Sequence, residues 1–354
     1  MAVARDTAQS SQSRAHDFPC LYDVPWTLHR LQWPSLSNRP RSLLSNSRNR
    51  ASRAKQMLVF LHIDDATDEE ADNGFDEKAG MIQACSWDLL EAADREEGAI
   101  LLDDEGRRVT EELGSGIVIN LTYDMATYRV ILYGPEPSQP SSSAASQQPQ
   151  SILPLLLTKT PIPLTKRIVT FLLDTFDIRI SPLKLPQLLL HQTLESYLDI
   201  LYRYTSPLSL ARRIAFLKNA LKDVKMTLSF STPITPHLRT LELDIPAETV
   251  CNLIEASISG KTSFMLEMAV HLEHHTGMHL PLPANKDTQS DDIEKLIRIS
   301  KMVCHAFALS GDGRFKIVEK AHRAAKVENL GHAVREANEM LLASLLAEAG
   351  RSPG

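Results

Sequence analysis

Residues 116–134 read GIVINLTYDMATYRVILYG, two apolar runs with β-branched residues throughout that meet around Tyr123 to Ala126. Runs of this kind joined by a short polar turn predict an antiparallel hairpin whose two strands are central in a sheet. A second hairpin is predicted near the end of the chain. In residues 297–318, Ile297, Ile299, Val303 and Ala306 to Leu309 form one arm, Phe315, Ile317 and Val318 form the other, and Ser310 to Gly313 supply the turn. Residues 224–230 and 238–245 alternate as strands, the latter setting Leu241, Leu243 and Ile245 against Thr240, Glu242 and Asp244. Residues 18–36 hold a further, N-terminal strand.

Helices are predicted between these strands. Pro163, Pro186 and the pair Ser206-Pro207 each precede a helical pattern, and proline in a first turn loses no helical hydrogen bond. In the third of these, Leu210, Ile214, Leu217 and Leu221 make an apolar stripe, while Arg212, Arg213, Lys218, Lys222 and the following Lys225 form a basic outer face. Those five residues are the candidates for contact with a DNA backbone. Helices are also expected over 246–257 and 263–275, followed by a short strand at 278–282. Leu330, Val334, Ala337, Leu341 and Leu345 make one stripe of a C-terminal helix that stops at Gly350.

The predicted class is therefore α+β, mainly antiparallel sheets with packed helices, in two linked subdomains. Residues 1–17 are expected to be disordered. An N-terminal domain spans 18–222 with flexible insertions at about 37–80 and 135–150, a C-terminal α+β domain spans 223–325, and a C-terminal helix occupies 326–354. The insertion at 37–80 is marked by charge: residues 39–55 carry six basic and no acidic side chains, residues 64–77 eight acidic and no basic ones. Blocks of opposite sign so close together read as mutually neutralising solvated loops.

Composition excludes several function classes. With 354 residues, 43% of them hydrophobic, the chain buries a sizeable core and is not a disordered protein. A formal net charge of -6 is not that of a protein that coats nucleic acid, so any DNA contact is a local patch. Cys20, Cys85, Cys251 and Cys304 are scattered without a CxxC pair, which fits a reducing compartment and neither a zinc finger nor a disulfide framework. No apolar run approaches the roughly 18 residues that span a bilayer.

Chemical motifs are hinted at and fail. Gly260-Lys261-Thr262 looks like the end of a phosphate-binding loop, but Glu255 stands where the loop's first glycine belongs, and an acid there repels phosphate. His271, Glu273, His274, His275 and His279 cluster without the HExxH order of a metalloprotease, and read as a solvated helix end. No GxSxG elbow or GxGxxG fingerprint occurs. The chain is expected to be no enzyme and to hold no metal or cofactor; a hydrolase with a triad assembled from distant residues is the alternative in that class.

Five ordered segments carry a resemblance: LYDVPWTLHRL (21–31), GIVINLTYDMATYRVIL (116–132), KTPIPLTKRIVTFLLDTFDIRISPLKLP (159–186), LRTLELDIP (238–246) and IRISKMVCHAFALSGDGRFKIVE (297–319). Together they resemble the fungal centromere protein L family, with a departure after Leu31, where this chain has Gln32-Trp33-Pro34. The resemblance implies a non-enzymatic subunit of the constitutive centromere-associated network of the inner kinetochore, in the nucleus. It implies pairing with a centromere protein N homologue through the C-terminal region, contact with other kinetochore subunits, and access to the centromeric nucleosome or DNA through that complex, with no membrane or small-molecule substrate. A stand-alone DNA-binding module is the competing reading. If the second arm of the C-terminal hairpin is an edge strand, Arg314, Phe315, Lys316, Ile317 and Val318 are the partner-binding candidates.

Overall fold

The computed structural model describes residues 19–34, 39–67, 79–90, 116–135, 153–222, 224–230, 237, 239–277, 297–319 and 330–351. Among them, one antiparallel sheet of eleven strands runs through the whole molecule, flanked by eight α-helices. The expected hairpins are β3 (Gly116–Tyr123) with β4 (Thr127–Tyr133), and β10 (Phe307–Ser310) with β11 (Arg314–Ile317). The remaining strands are β1 (Trp26–Gln32), β2 (Ile82–Leu89), β5 (Leu155–Lys159), β6 (Arg179–Pro182), β7 (Val224–Phe230), β8 (Thr240–Ile245) and β9 (Ile297–Val303). Their order is β2-β3-β4-β5-β1-β11-β10-β9-β7-β8, with β6 also paired to β1. The two halves of the chain thus share one sheet, joined where β1 meets β11 at Trp26↔Phe315 and Thr27↔Arg314.

The helices are α1 (Arg39–Ser45), α2 (Ser47–Thr67), α3 (Ile162–Phe176), α4 (Gln187–Thr205), α5 (Leu210–Leu221), α6 (Ala247–Gly260), α7 (Phe264–Thr276) and α8 (Gly331–Gly350). They divide between the two faces of the sheet. On one face, Ile117, Ile119, Val130, Leu132 and Leu156 form a core with Met57 and Leu61 of α2 and Leu164, Ile168 and Phe171 of α3. On the other, Val118, Ile131, Leu155 and Leu157 join a core that continues through Leu28, Phe315, Leu309, Met302, Met226 and Ile245 under helices α4 to α8. Strands β3 to β5 are therefore buried on both faces, which is why their sequences are nearly continuous apolar runs.

Residues 39–67 correct the expectation of a flexible insertion at 37–80: they are helical. Asn46 accepts from the backbone N–H of Arg48 at 3.0 Å and of Asn49 at 3.3 Å, capping the start of α2. Arg50 is buried, and its Nη1 donates to the carbonyls of Leu43 at 3.0 Å and Leu44 at 2.9 Å at the end of α1. Arg53 lies 5.4 Å over the ring of Phe176. Two of the six basic side chains, Arg50 and Arg53, are thus spent holding structure. The acidic block beyond Thr67, the insertion at 136–150 and the strand expected at 278–282 lie outside the described residues, as do residues 1–18.

Helix α8 closes the molecule. Its stripe, Leu330, Val334, Ala337, Leu341 and Leu345, is buried against α4, β1 and β5. Near its end, the Glu348 carbonyl accepts from Arg30 of β1 at 2.9 Å, and the two side chains pair at 3.8 Å. In its middle, buried Asn338 accepts from the Tyr197 hydroxyl at 3.1 Å and donates to Tyr22 at 3.3 Å, linking α8 to α4 and to the N-terminal segment.

Candidate interaction surface on the C-terminal sheet

The C-terminal half of the sheet is covered on one face only. Helices α4 to α8 pack on the side of Met226, Leu228, Ile299, Met302, Leu309, Phe315 and Ile317. Register places Lys225, Thr227 and Ser229 of β7, Arg298, Lys301 and Val303 of β9, Ala308 of β10 and Lys316 of β11 together on the opposite face, because cross-strand partners share a face. No described helix packs there. Lys225 pairs with Asp244 at 3.0 Å and Glu242 at 3.9 Å, Lys316 with Asp23 at 3.9 Å, and Arg314 with Asp312 at 3.3 Å. Arg298 and Lys301 are exposed and have no ion pair among the described residues.

At the end of the sheet, β8 pairs only with β7 among the described residues. The hydrogen-bond phase of that pair follows from Phe230, whose N–H donates to the Arg239 carbonyl at 2.9 Å. Antiparallel partners alternate between bonded and non-bonded pairs, so Leu228↔Leu241, Met226↔Leu243 and Val224↔Ile245 are the bonded ones. The backbone N–H and C=O groups of Thr240, Glu242 and Asp244 consequently point away from β7, toward an edge that no other described strand covers. Leu241 and Leu243 reach the core face and remain only half-buried against it.

The sequence-derived candidates fall elsewhere. Strand β11 is not an edge: it lies between β10 and β1, and Phe315 and Ile317 are buried core side chains at 2% and 1% exposure. The backbone of Val318 donates to Ala306 at 2.8 Å, extending the hairpin's own pairing. Arg314 and Lys316 alone turn toward the open face. The apparent edge position came from reading the end of the sheet-forming sequence as the end of the sheet, whereas β1, the first strand, closes over it. Helix α8 folds back at the same time, over α4, β1 and β5.

The five basic candidates around α5 do not make one face. Arg213 is largely buried, pairs with Glu255 at 2.9 Å, donates to the Tyr202 hydroxyl at 3.0 Å and lies 5.0 Å over that ring. Lys218 faces Glu248 at 4.0 Å. Lys225 belongs to the open face of β7, on the other side of the sheet from α5. Arg212 and Lys222 remain as exposed cations. Leu210, placed in the apolar stripe, is 55% exposed because the helix begins only there, after Ser209.

Gly260-Lys261-Thr262 is a helix end. Lys261 adopts a left-handed conformation at φ +52°, and the N–H groups of Lys261 and Thr262 donate to the carbonyls of Ile258 and Ser257, so neither is offered to a phosphate. Ser263 then caps α7, accepting from Leu266 N–H at 3.1 Å. At the far end of α7, His271 and His275 rings lie 4.3 Å apart. Burial, then the charge of His275 and His274, pushes the His271 pKa below its ordinary value. Among the described residues no group of three or more His, Cys, Asp or Glu side chains is arranged to hold a metal ion, and no helix is long and apolar enough to cross a membrane.

Compared with known protein families, residues 16–350 match the family described as centromere protein L. The chain belongs to the centromere protein L family. Membership gives it a role at the centromere and kinetochore. No curated protein sequence matches it significantly. The match spans both halves of the sheet and α8, β8 among them.

Proposed function

We propose that this chain is a non-enzymatic structural subunit of the constitutive centromere-associated network, in the nucleus, and that it pairs with the centromere protein N homologue through the edge strand β8. One observation carries the reading: Thr240, Glu242 and Asp244 direct their backbone donors and acceptors outward from the C-terminal half of the sheet, where an added strand satisfies them. The half-buried Leu241 and Leu243 gain cover from the same event. Within that complex the open sheet face, where Arg298 and Lys301 have no carboxylate partner among the described residues, and the exposed Arg212 and Lys222 are the groups available to centromeric DNA phosphates.

Co-expression with the centromere protein N homologue tests the pairing. Glu242→Pro and Glu242→Gln both remove the carboxylate, but only proline removes the outward N–H, and proline is tolerated where that group does not serve the sheet. The expected outcome is a folded proline variant that no longer co-purifies, beside a glutamine variant that does. Equal recovery of both, with circular dichroism unchanged, would rule β8 out. Duplex binding by the isolated chain with a steep salt dependence would instead favour a DNA-binding module acting alone.

A further inference from the structure

The edge strand has two rows of side chains, and their chemistry restricts what can pair with it. On the core face stand Leu241, Leu243 and Ile245; on the open face stand Thr240, Glu242 and Asp244. Glu242 and Asp244 share one cation, Lys225, at 3.9 Å and 3.0 Å, and their side chains are 62% and 61% exposed. Two carboxylates facing one ammonium leave an excess negative charge beside the outward backbone groups. We infer that β8 selects a partner strand whose residues alternate apolar and basic, and that the acidic row excludes a second copy of this chain. The inference rests on the edge-pairing reading above and adds the partner's chemistry to it.

The physical case is cross-strand pairing. An added strand places its side chains directly opposite those of β8, and an opposite-charge pair there is favourable whereas like charges are unfavourable. Apolar residues on the incoming strand continue the core beyond Leu241 and Leu243. Basic residues on its other row meet Glu242 and Asp244 and extend the row begun by Lys225. In a pairing of two copies, the outward groups of Thr240, Glu242 and Asp244 engage their own counterparts. Centred on Glu242 or on Leu243, the pairing sets Glu242 opposite Glu242 or Asp244 of the second copy, acid against acid; centred on Leu241, it sets Glu242 opposite Thr240 with the second Glu242 as its diagonal neighbour. The same two residues therefore favour one class of partner and oppose self-association.

The experiment measures affinity for the full-length centromere protein N homologue at low and high salt, using the full chain and its Glu242→Lys/Asp244→Lys variant. Reversal is expected to weaken binding about ten-fold or more at low salt, with the difference shrinking as added salt screens the exposed pairs. Sedimentation of the wild-type chain alone is expected to show a monomer. A folded reversal variant that binds within about two-fold of wild type at every salt concentration overturns the charge inference, as does a wild-type homodimer that Glu242→Pro dissolves. The edge reading fails separately, by retention of the partner in Glu242→Pro.

Discussion

His191 is the residue whose chemistry is most at odds with its surroundings. It lies on α4 at 3% exposure, and neither ring nitrogen has a hydrogen-bond partner among the described residues. Burial pushes its pKa down to about 4 from an ordinary 6.5. The folded chain thus holds the neutral ring where the unfolded chain takes up a proton, so stability is full above about pH 6.5 and declines as pH falls toward 4. His29 shifts in the same direction, also through burial. Within that window each pH unit costs at most about 1.4 kcal/mol per histidine. Urea titrations between pH 7.5 and 5 are expected to show a smaller loss for His191→Leu than for wild type; an equal loss would mean that the acid sensitivity lies elsewhere. Gly313 is a second residue with a defined constraint. It holds φ +83° in the turn before β11, and a Cβ there would meet the Leu183 carbonyl oxygen at 2.2 Å. Gly313→Ala should destabilise the fold by more than about 2 kcal/mol, read by thermal or urea denaturation.

At the scale of elements, β11 shows what the sequence can and cannot disclose. Its alternation and the turn at Ser310 to Gly313 identify a hairpin arm, and the structure forms that arm. Its neighbour on the other side is β1, supplied from the opposite end of the chain, and no local pattern encodes that pairing. Phe315→Ala is accordingly expected to cost about 3–5 kcal/mol of stability, the cost of a core cavity, measured on the isolated chain. Strand β8 shows the same limit from the other side: the alternation of Leu241 and Glu242 is plain in the sequence, but its place at the end of the sheet depends on where β9 and β7 lie. Helices α1 and α2 were hidden for a different reason. Their basic side chains look solvated, yet Arg50 satisfies helix-end carbonyls and Asn46 supplies the cap, local interactions that charge counting overlooks. At the end of α6, Lys261 occupies a left-handed position that glycine fills without strain, so Lys261→Gly is expected to raise stability by about 0.5–1 kcal/mol in denaturation experiments.

At the scale of the molecule, the sheet belongs to both halves and α8 binds them together. Leu345 is fully buried among residues of α4 and the sheet, and Leu345→Ala should lower stability by about 2–5 kcal/mol. Hydrogen exchange on that variant is expected to lose protection in β1 and β5 as well as in α4, since all three pack on α8. Protection lost from α8 and α4 alone would instead mean that the N-terminal strands are stable by themselves. The joint between β1 and β11 has a further consequence, for the order of events during synthesis. The ribosome adds about 5–20 residues per second, and Trp26 must wait for Phe315 to emerge before its end of β1 is paired. Arg30 waits longer still, for Glu348, which lies 318 positions further along the chain. Until then the apolar row of Trp26, Leu28, Leu155 and Leu157 has no α8 to cover it. A nascent chain in that state leaves an apolar row open to association with other unfinished chains until the last helix is made.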